Sequence, residues 1–260
     1  MPDLFLDLHR DDSDEQPAAA TSPILTGDQE RELLRDARFT ETKLIPWGSN
    51  YSFAAALTSA AGTDHLAIYK PRRGEAPLHD FPDGTLYLRE YAAFLLSEAL
   101  GWGIVPTTIV RDGPHGIGSV QIYIEPVTDA EADRHFWGAC APEVERLVLF
   151  DHVSNNADRK IGHCLRDRQG KVWGIDHGLT FNRYPKLRTV LWQFVGAPIS
   201  PSLVRDLRRV RASERGLRDS LSTCLAAAEI DALIARIDRL IDTATYPPLN
   251  PRRNVPYGWW

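Results

Sequence analysis

Two short segments of the sequence hold residues that could do chemistry. The segment FDHVSNNADRKIGH, which starts at Phe150, contains Asp151, Asn156, Asp158 and Arg159. The segment GIDHGLTF contains Asp176. Between them, CLR and KVWGID flank the turn-forming sequence DRQG, which predicts a hairpin. A hairpin returns the chain to the point where it left, so Asp158 and Asp176 can converge on one metal ion.

Phosphoryl transfer is the chemistry that this residue set suits. It needs a cation on the donor phosphates, a carboxylate that holds magnesium, a second carboxylate near the attacking hydroxyl, and a cover that excludes water. Candidates for all four occur, and Asp158 and Asp176 are the strongest because carboxylates beside apolar strands need a reason to be there. A metal-dependent hydrolase that uses His152, His163 and His177 is a weaker alternative, since no H-x-x-x-H or H-E-x-x-H spacing supports it.

The first half of the chain reads as a small sheet with one helix. Strands are predicted within 42–69 as TKLIPW, YSFAAAL and HLAIYK, separated by turns that contain glycine. Helical spacing from Leu88 to Ala99, with Gly101 and Gly103 as a stop signal, predicts a helix. Two more strands follow in VPTTIVRDG and GSVQIYIEP. This order resembles the small lobe of a kinase.

The second half changes to a helical pattern. Helices are predicted at 142–153 and across 200–242, with the short hairpin between them. The acidic stretch DDSDEQPAAATSP has no periodicity, so we expect a loose tail over 1–24. The predicted organisation is that tail, an N-lobe over 25–126 with an antiparallel sheet, and a mainly helical C-lobe over 127–260. The predicted fold class is therefore α+β, two-lobed and protein-kinase-like.

The two chemistry-bearing segments resemble the catalytic and metal-binding loops of the phosphatidylinositol 3-/4-kinase superfamily. That family carries N-x-D-R, a hairpin and I-D-x-G-x-x-F, and this sequence supplies NADR and IDHGLTF in the same order. The resemblance is greatest to type II phosphatidylinositol 4-kinases and related bacterial proteins. More narrowly, SNYSF, YKPRRGE, DFPDGTLYLRE and ALGW resemble an actinobacterial family related to these lipid kinases. The resemblance covers 44–181.

The resemblance implies a role for each residue of the motifs. Lys70, in AIYKP, would bind the ATP phosphates, and Glu90, in REYAAFLLS, would orient it. Asp158 would be catalytic together with Lys70 and Arg159. Arg159 and Asn156 would also brace the loop, and Asp176 would hold Mg²⁺. The phosphate-covering loop would contain Gly48, Ser49 and Asn50, for which an ordinary hairpin turn is the alternative. The adenine pocket would lie under the strand at 120–125.

Two positions depart from the family pattern. Lys160 stands two residues after Asp158, where lipid 3-kinases and HipA-type kinases have histidine, and His163 replaces a metal-binding asparagine. Magnesium prefers oxygen ligands, so His163 as a ligand suggests Mn²⁺ tolerance, a metal held by Asp176 alone, or an impaired enzyme. A nucleotide-binding pseudokinase and a nucleotidyltransferase on the same fold are therefore the alternatives.

Composition limits the partners and the location. With 30 Lys and Arg against 35 Asp and Glu, the net charge is -5, so nucleic acid is not an expected partner. Three scattered cysteines indicate neither a disulfide framework nor a thiolate zinc site and suit a cytoplasmic protein. No apolar run approaches the roughly 18 residues that span a bilayer, so no transmembrane segment is expected. The acceptor is left open among protein, small molecule and lipid headgroup.

Overall fold

A computed structural model of the chain describes residues 27–46, 50–127 and 135–257. The predicted tail over 1–24 lies outside the described residues. Gly48 and Ser49 also lie outside them, so two residues of the predicted phosphate-covering loop have no structural account.

The first half of the chain forms an antiparallel sheet with two helices, one before the first strand and one between the third and fourth strands. Its five strands lie in the order β1-β2-β3-β5-β4. Their bounds are β1 Arg38–Ile45, β2 Ser52–Thr58, β3 Asp64–Pro71, β4 Thr108–Gly113 and β5 Gly116–Ile122. Helix α1 is Gly27–Asp36 and helix α2 is Leu86–Ala99. The predicted strands and the α2 helix are confirmed, although β5 ends three residues before the predicted end of its strand at Glu125.

Helix α1 was missed by the sequence analysis, which predicted order to begin near Leu25 without a helix. Its Leu33 and Leu34 are buried against sheet residues that include Tyr69 and Val120. The two leucines are adjacent, and every other residue of the helix except Gly27 and Gln29 is charged, so the apolar stripe that marks an amphipathic helix is narrow here. Packing on the sheet, rather than the local pattern, stabilises this helix.

A close approach between β3 and β5 fixes the backbone beside Lys70. The two strands pair Lys70 with Ser119 and Pro71 with Gly118. A Cβ atom at Gly118 would lie 2.4 Å from the carbonyl oxygen of Lys70, so only glycine fits at this position. The register of the sheet, and with it the side of the sheet from which Lys70 projects, depends on this contact.

The second half is mainly helical around one apolar core. Its helices are α3 Pro142–Ser154, α4 Pro201–Ala212, α5 Glu214–Leu221 and α6 Ala227–Thr243, and the hairpin is β6 Cys164–Arg166 with β7 Val172–Gly174. Both regions predicted to be helical are confirmed. Buried residues of α2, such as Phe94 and Leu96, share this core with α3 and α6. Among the described residues, no helix combines the length and apolar composition that crossing a bilayer requires.

Helix α3 carries a buried histidine that should make stability depend on pH. His152 is 7% exposed, and its ring lies 5.5 Å from that of Tyr246. Burial lowers the pKa of His152 from 6.5 to about 4. Between these values the unfolded chain binds a proton that the folded chain does not, so stability is lost as pH falls from 6.5 towards 4.

We predict that His152→Gln reduces the loss of unfolding free energy between pH 7 and pH 5 by about 2 kcal/mol. Urea denaturation at both pH values measures this difference. His79→Gln, at an exposed histidine, is the matched control and should leave the loss unchanged. An equal pH response in wild type and His152→Gln would contradict the prediction.

Candidate active site

Lys70 lies between two carboxylates that come from distant parts of the chain. Its Nζ donates to Oε1 of Glu90 on α2, and it lies 2.8 Å from Oδ1 of Asp176, which follows β7. Desolvation opposes the charge on Lys70, but Asp176 and Glu90 outweigh it and raise the pKa of Lys70 above its ordinary value. The lysine is therefore a fixed cation. We call Lys70, Glu90, Asp176 and His163 the Lys70 cluster.

Glu90 does more than orient the lysine. Its side chain is 3% exposed, and its two oxygens also accept hydrogen bonds from the backbone N–H groups of His177 (2.9 Å) and Gly178 (3.1 Å). The carboxylate thus ties α2 to β3 and to the loop that carries Asp176. The sequence analysis predicted the contact with Lys70, but the backbone contacts have no local sequence signal.

Asp176 is the exposed carboxylate of the cluster. Its side chain is 49% exposed, and its backbone adopts a left-handed conformation with φ of 58°. Desolvation opposes its ionisation, but the charges of Lys70 and His163 prevail and hold the pKa of Asp176 well below its ordinary value. An ionised and accessible carboxylate of this kind can ligate a divalent cation.

His163 lies against Asp176, as its predicted metal role requires. Its Nε2 is 3.2 Å from Oδ2 of Asp176, and its Nδ1 accepts weakly from the backbone N–H of Lys160 at 3.4 Å. Desolvation lowers the pKa of His163, so the ring is neutral. These two contacts assign the proton to Nε2. The proton would have to move to Nδ1 before Nε2 could bind a metal.

The donors available for a cation are therefore few. Among the described residues, no group of three or more His, Cys, Asp and Glu side chains is placed to hold a metal ion. Asp176 can supply oxygen, and His163 can supply nitrogen in its other tautomer. The chain fits a divalent cation only if the nucleotide phosphates complete the coordination, which is the arrangement that phosphotransferases use.

Asp158 is partly buried in the first of the two chemistry-bearing segments. Its Oδ2 lies 2.9 Å from Nζ of Lys160, and its backbone N–H donates to Oδ1 of Asn156. The side chain of Asp158 is 23% exposed, so an acceptor can reach it. The contact with Lys160 was not predicted, although the two residues are only two positions apart.

Arg159 supports the loop from inside the protein. It is fully buried, and its guanidinium binds Oδ1 of Asp151 at 2.9 Å and the backbone carbonyls of His163 and Ile175. Asn156 donates to the same Asp151 carboxylate at 3.0 Å. The predicted bracing role of Arg159 and Asn156 matches these contacts, whereas a catalytic role would need contact with substrate.

His177 completes this buried network. Its Nε2 is 2.8 Å from Nη2 of Arg159 and must accept from it, because arginine has no acceptor. Burial, together with the charges of Arg159 and Lys70, lowers the pKa of His177 well below its ordinary value. The ring is neutral, and its Nε2 lone pair, which a metal would need, is occupied by Arg159; this contact argues against the sequence alternative in which His177 is a metal ligand of a hydrolase.

Two further residues make contacts that stabilise the structure: Asn50, which was predicted to bind nucleotide, and Arg89, which was not predicted. Oδ1 of Asn50 accepts from the backbone N–H of Ala76 at 2.7 Å, so it braces a loop, and its nucleotide role stays a prediction. Arg89, which the sequence analysis missed, is buried, pairs with Glu229 at 2.5 Å and donates to the carbonyl of Thr180. It anchors α2 to α6 next to Glu90. Buried arginines give no periodic signal, so only the structure identifies it.

Comparison with known proteins places the chain in a family. It is 36% identical over 265 residues to protein Rv2133c of Mycobacterium tuberculosis (strain ATCC 25618 / H37Rv), covering 88% of this chain and 95% of the relative. The chain belongs to the Rv2133c family. No protein-family model matches it.

Solved structures resemble this member of the Rv2133c family in fold. The structure of hydra Fam20 with sugar matches 84% of this chain and 88% of its own, with a TM-score of 0.57 and 13% identity. The Helicobacter pylori proinflammatory kinase CtkA matches 80% of this chain and 96% of its own, with a TM-score of 0.48 and 15% identity. The predicted two-lobed, kinase-like α+β fold is confirmed.

We predict that Asp151→Asn destabilises the protein by about 3 to 5 kcal/mol, because it leaves the buried Arg159 charge without a full partner. Urea denaturation measures the change. Glu125→Gln is the matched control, since it removes the carboxylate of an exposed pair with Arg168 and should cost less than about 1 kcal/mol. Equal effects of the two substitutions would contradict a supporting role for the buried pair.

Proposed function

We propose that this chain is an ATP-dependent phosphotransferase related to the phosphatidylinositol 3-/4-kinases, with Mg²⁺ or Mn²⁺ as cofactor. The observation that carries the proposal is the double contact of Lys70 with Glu90 and Asp176, residues from two distant segments. A fixed cation beside an accessible carboxylate suits a metal-bound triphosphate. The acceptor is a hydroxyl-bearing molecule, either a protein, a small molecule or a lipid headgroup.

In the proposed reaction the acceptor oxygen attacks the γ-phosphorus of ATP in line with the leaving group. The bond from the γ-phosphorus to the bridging oxygen breaks, ADP leaves, and Asp158 accepts or orients the hydroxyl proton. Lys70, positioned by Glu90, neutralises the donor phosphates. A divalent cation, bound through Asp176 and the phosphates, would neutralise charge on the transferred group.

We predict that Lys70→Met and Asp176→Asn each lower phosphoryl transfer by about a hundredfold or more, because each removes charge stabilisation at the transferred group. Transfer of labelled γ-phosphate to components of a cell extract measures this, with either Mg²⁺ or Mn²⁺ present. Mass spectrometry of the product separates phosphorylation from nucleotidyl transfer.

The control for this experiment is Arg168→Met, which removes an exposed cation from the β6-β7 hairpin turn. It should retain wild-type activity. Circular dichroism should show that all three variants are folded. Wild-type activity in Lys70→Met or Asp176→Asn would refute the assigned roles.

A catalytically impaired, nucleotide-binding protein is the second candidate. The observation that favours it is that Lys160 pairs with Asp158 and His163 with Asp176, so both reactive carboxylates have partners at the two positions that depart from the family. In an active enzyme, Lys160 would instead place a second cation close to the transferred phosphoryl group. The two candidates therefore assign opposite effects to the same side chain.

We predict that Lys160→Met lowers phosphoryl transfer by about tenfold or more, because it removes a cation where negative charge develops. The labelled-phosphate assay measures the rate. Stabilisation of the variant by ATP with Mg²⁺ in a thermal-shift assay controls for nucleotide binding. If Lys160→Met raised activity, or if wild type bound ATP with no transfer to any component, the impaired candidate would be favoured.

A further inference from the structure

A groove in the C-terminal half concentrates positive charge in a protein whose net charge is -5. Its volume is about 990 Å³, and its walls are the loop 183–188, one face of α6 and the segment 247–257. Its basic lining residues are Arg183, Lys186, Arg188, Arg236, Arg239, Arg252 and Arg253. No Asp or Glu in the described part of the chain lines it. We call it the basic groove.

Among the described residues, the charge of the basic groove is largely uncompensated. Lys186 pairs with Asp80 at 2.6 Å. For the six arginines, no carboxylate among the described residues lies within ion-pair distance. Two of them instead stack on aromatic rings, Arg183 on Tyr184 at 4.6 Å and Arg188 on Tyr257 at 4.9 Å. Like charges that line one groove repel one another, so a bound anion would stabilise the arrangement.

One buried nitrogen of Arg236 also lacks an acceptor among the described residues. Its Nε donates to the carbonyl of Val153 and its Nη1 to that of Asn182. Its Nη2 is buried and has no hydrogen-bond partner among the described residues. Burial, with the nearby charge of Arg239, lowers the pKa of Arg236 to about 10. Buried donors are nearly always bonded, so this N–H calls for an acceptor.

The groove is a built feature and adjoins the segment that carries Asp158. Its two loop walls are joined because Thr189 N–H donates to Asn254 O at 2.9 Å and Asn254 Nδ2 to Leu187 O at 2.6 Å. Arg188 accepts from the backbone N–H of Arg159 and donates to the carbonyl of Asn156. The groove therefore has a fixed geometry next to the catalytic loop.

We propose that the basic groove binds a small molecule that carries two or more phosphate groups, at a site separate from the Lys70 cluster. Arginine predominates, and its planar fork suits phosphate oxygens. Several uncompensated cations suit a ligand with more than one dianionic group. The volume matches small-molecule sites, and the three enclosing walls favour such a ligand over an extended chain.

Isothermal titration calorimetry with inorganic tripolyphosphate tests this proposal. Every protein compared is the full chain with Lys70→Met, because this substitution weakens binding of tripolyphosphate at the Lys70 cluster. Adding Arg239→Gln with Arg252→Gln, both exposed, should weaken tripolyphosphate binding by about tenfold or more, because charge-assisted hydrogen bonds are lost. The matched control adds Arg205→Gln with Arg208→Gln, exposed residues of α4 outside the groove, and should bind as tightly as the Lys70→Met protein.

Two further arms identify the source of the phosphate. The first arm measures whether the protein sediments with phosphatidylcholine vesicles that contain phosphatidylinositol 4-phosphate. Binding that the Lys70→Met protein shows and the groove variant loses would support a lipid headgroup as ligand. Tripolyphosphate binding without vesicle binding would support a soluble one. The proposal is overturned if tripolyphosphate does not bind, if the control variant weakens binding equally, or if a hexaglutamate peptide binds the groove more tightly than tripolyphosphate. Activity is not a readout, so failure here leaves the proposed phosphotransfer untouched.

Discussion

The arrangement of the candidate site depends on one buried carboxylate. Burying an ionised Glu90 costs several kcal/mol unless its oxygens are fully bonded, and three donors satisfy them here: the Lys70 ammonium and the N–H groups of His177 and Gly178. None of these donors lies in α2: Lys70 lies in β3, and His177 and Gly178 lie in the loop after β7. The requirement to pair this charge therefore brings β3, α2 and the Asp176 loop to one point.

Exposure to solvent distinguishes the groups that support the candidate site from the groups that could react. Asp151 and Arg159 are 1% and 0% exposed, whereas Asp158 and Asp176 are 23% and 49% exposed. Asp151 and Arg159 are buried and make several hydrogen bonds each, so they hold the loop that carries Asp158 in one conformation. The carboxylates that could meet substrate or metal remain accessible, which is how a preorganised site keeps its geometry while it admits ligands.

Charge is balanced differently in the candidate site and in the basic groove. The Lys70 cluster balances its cation with two carboxylates, but the basic groove leaves its arginines without carboxylate partners among the described residues. The basic groove adjoins the loop that carries Asp158, because the backbone of Arg188 bonds to both Asn156 and Arg159.

The sequence by itself determined the five strands, helices α2 and α3, the hairpin and the presence of Lys70, Glu90, Asp158 and Asp176 in suitable segments. These features follow from periodicity, turn residues and short spacings, which act over a few residues. Helix α1, the buried Arg89, the Lys160 contact and the basic groove were not predicted. Only the tertiary structure decided that Lys70 meets Asp176, 106 positions away, and that three separate segments share one groove. Such contacts depend on how packed elements orient one another, and no local pattern in the chain encodes that orientation.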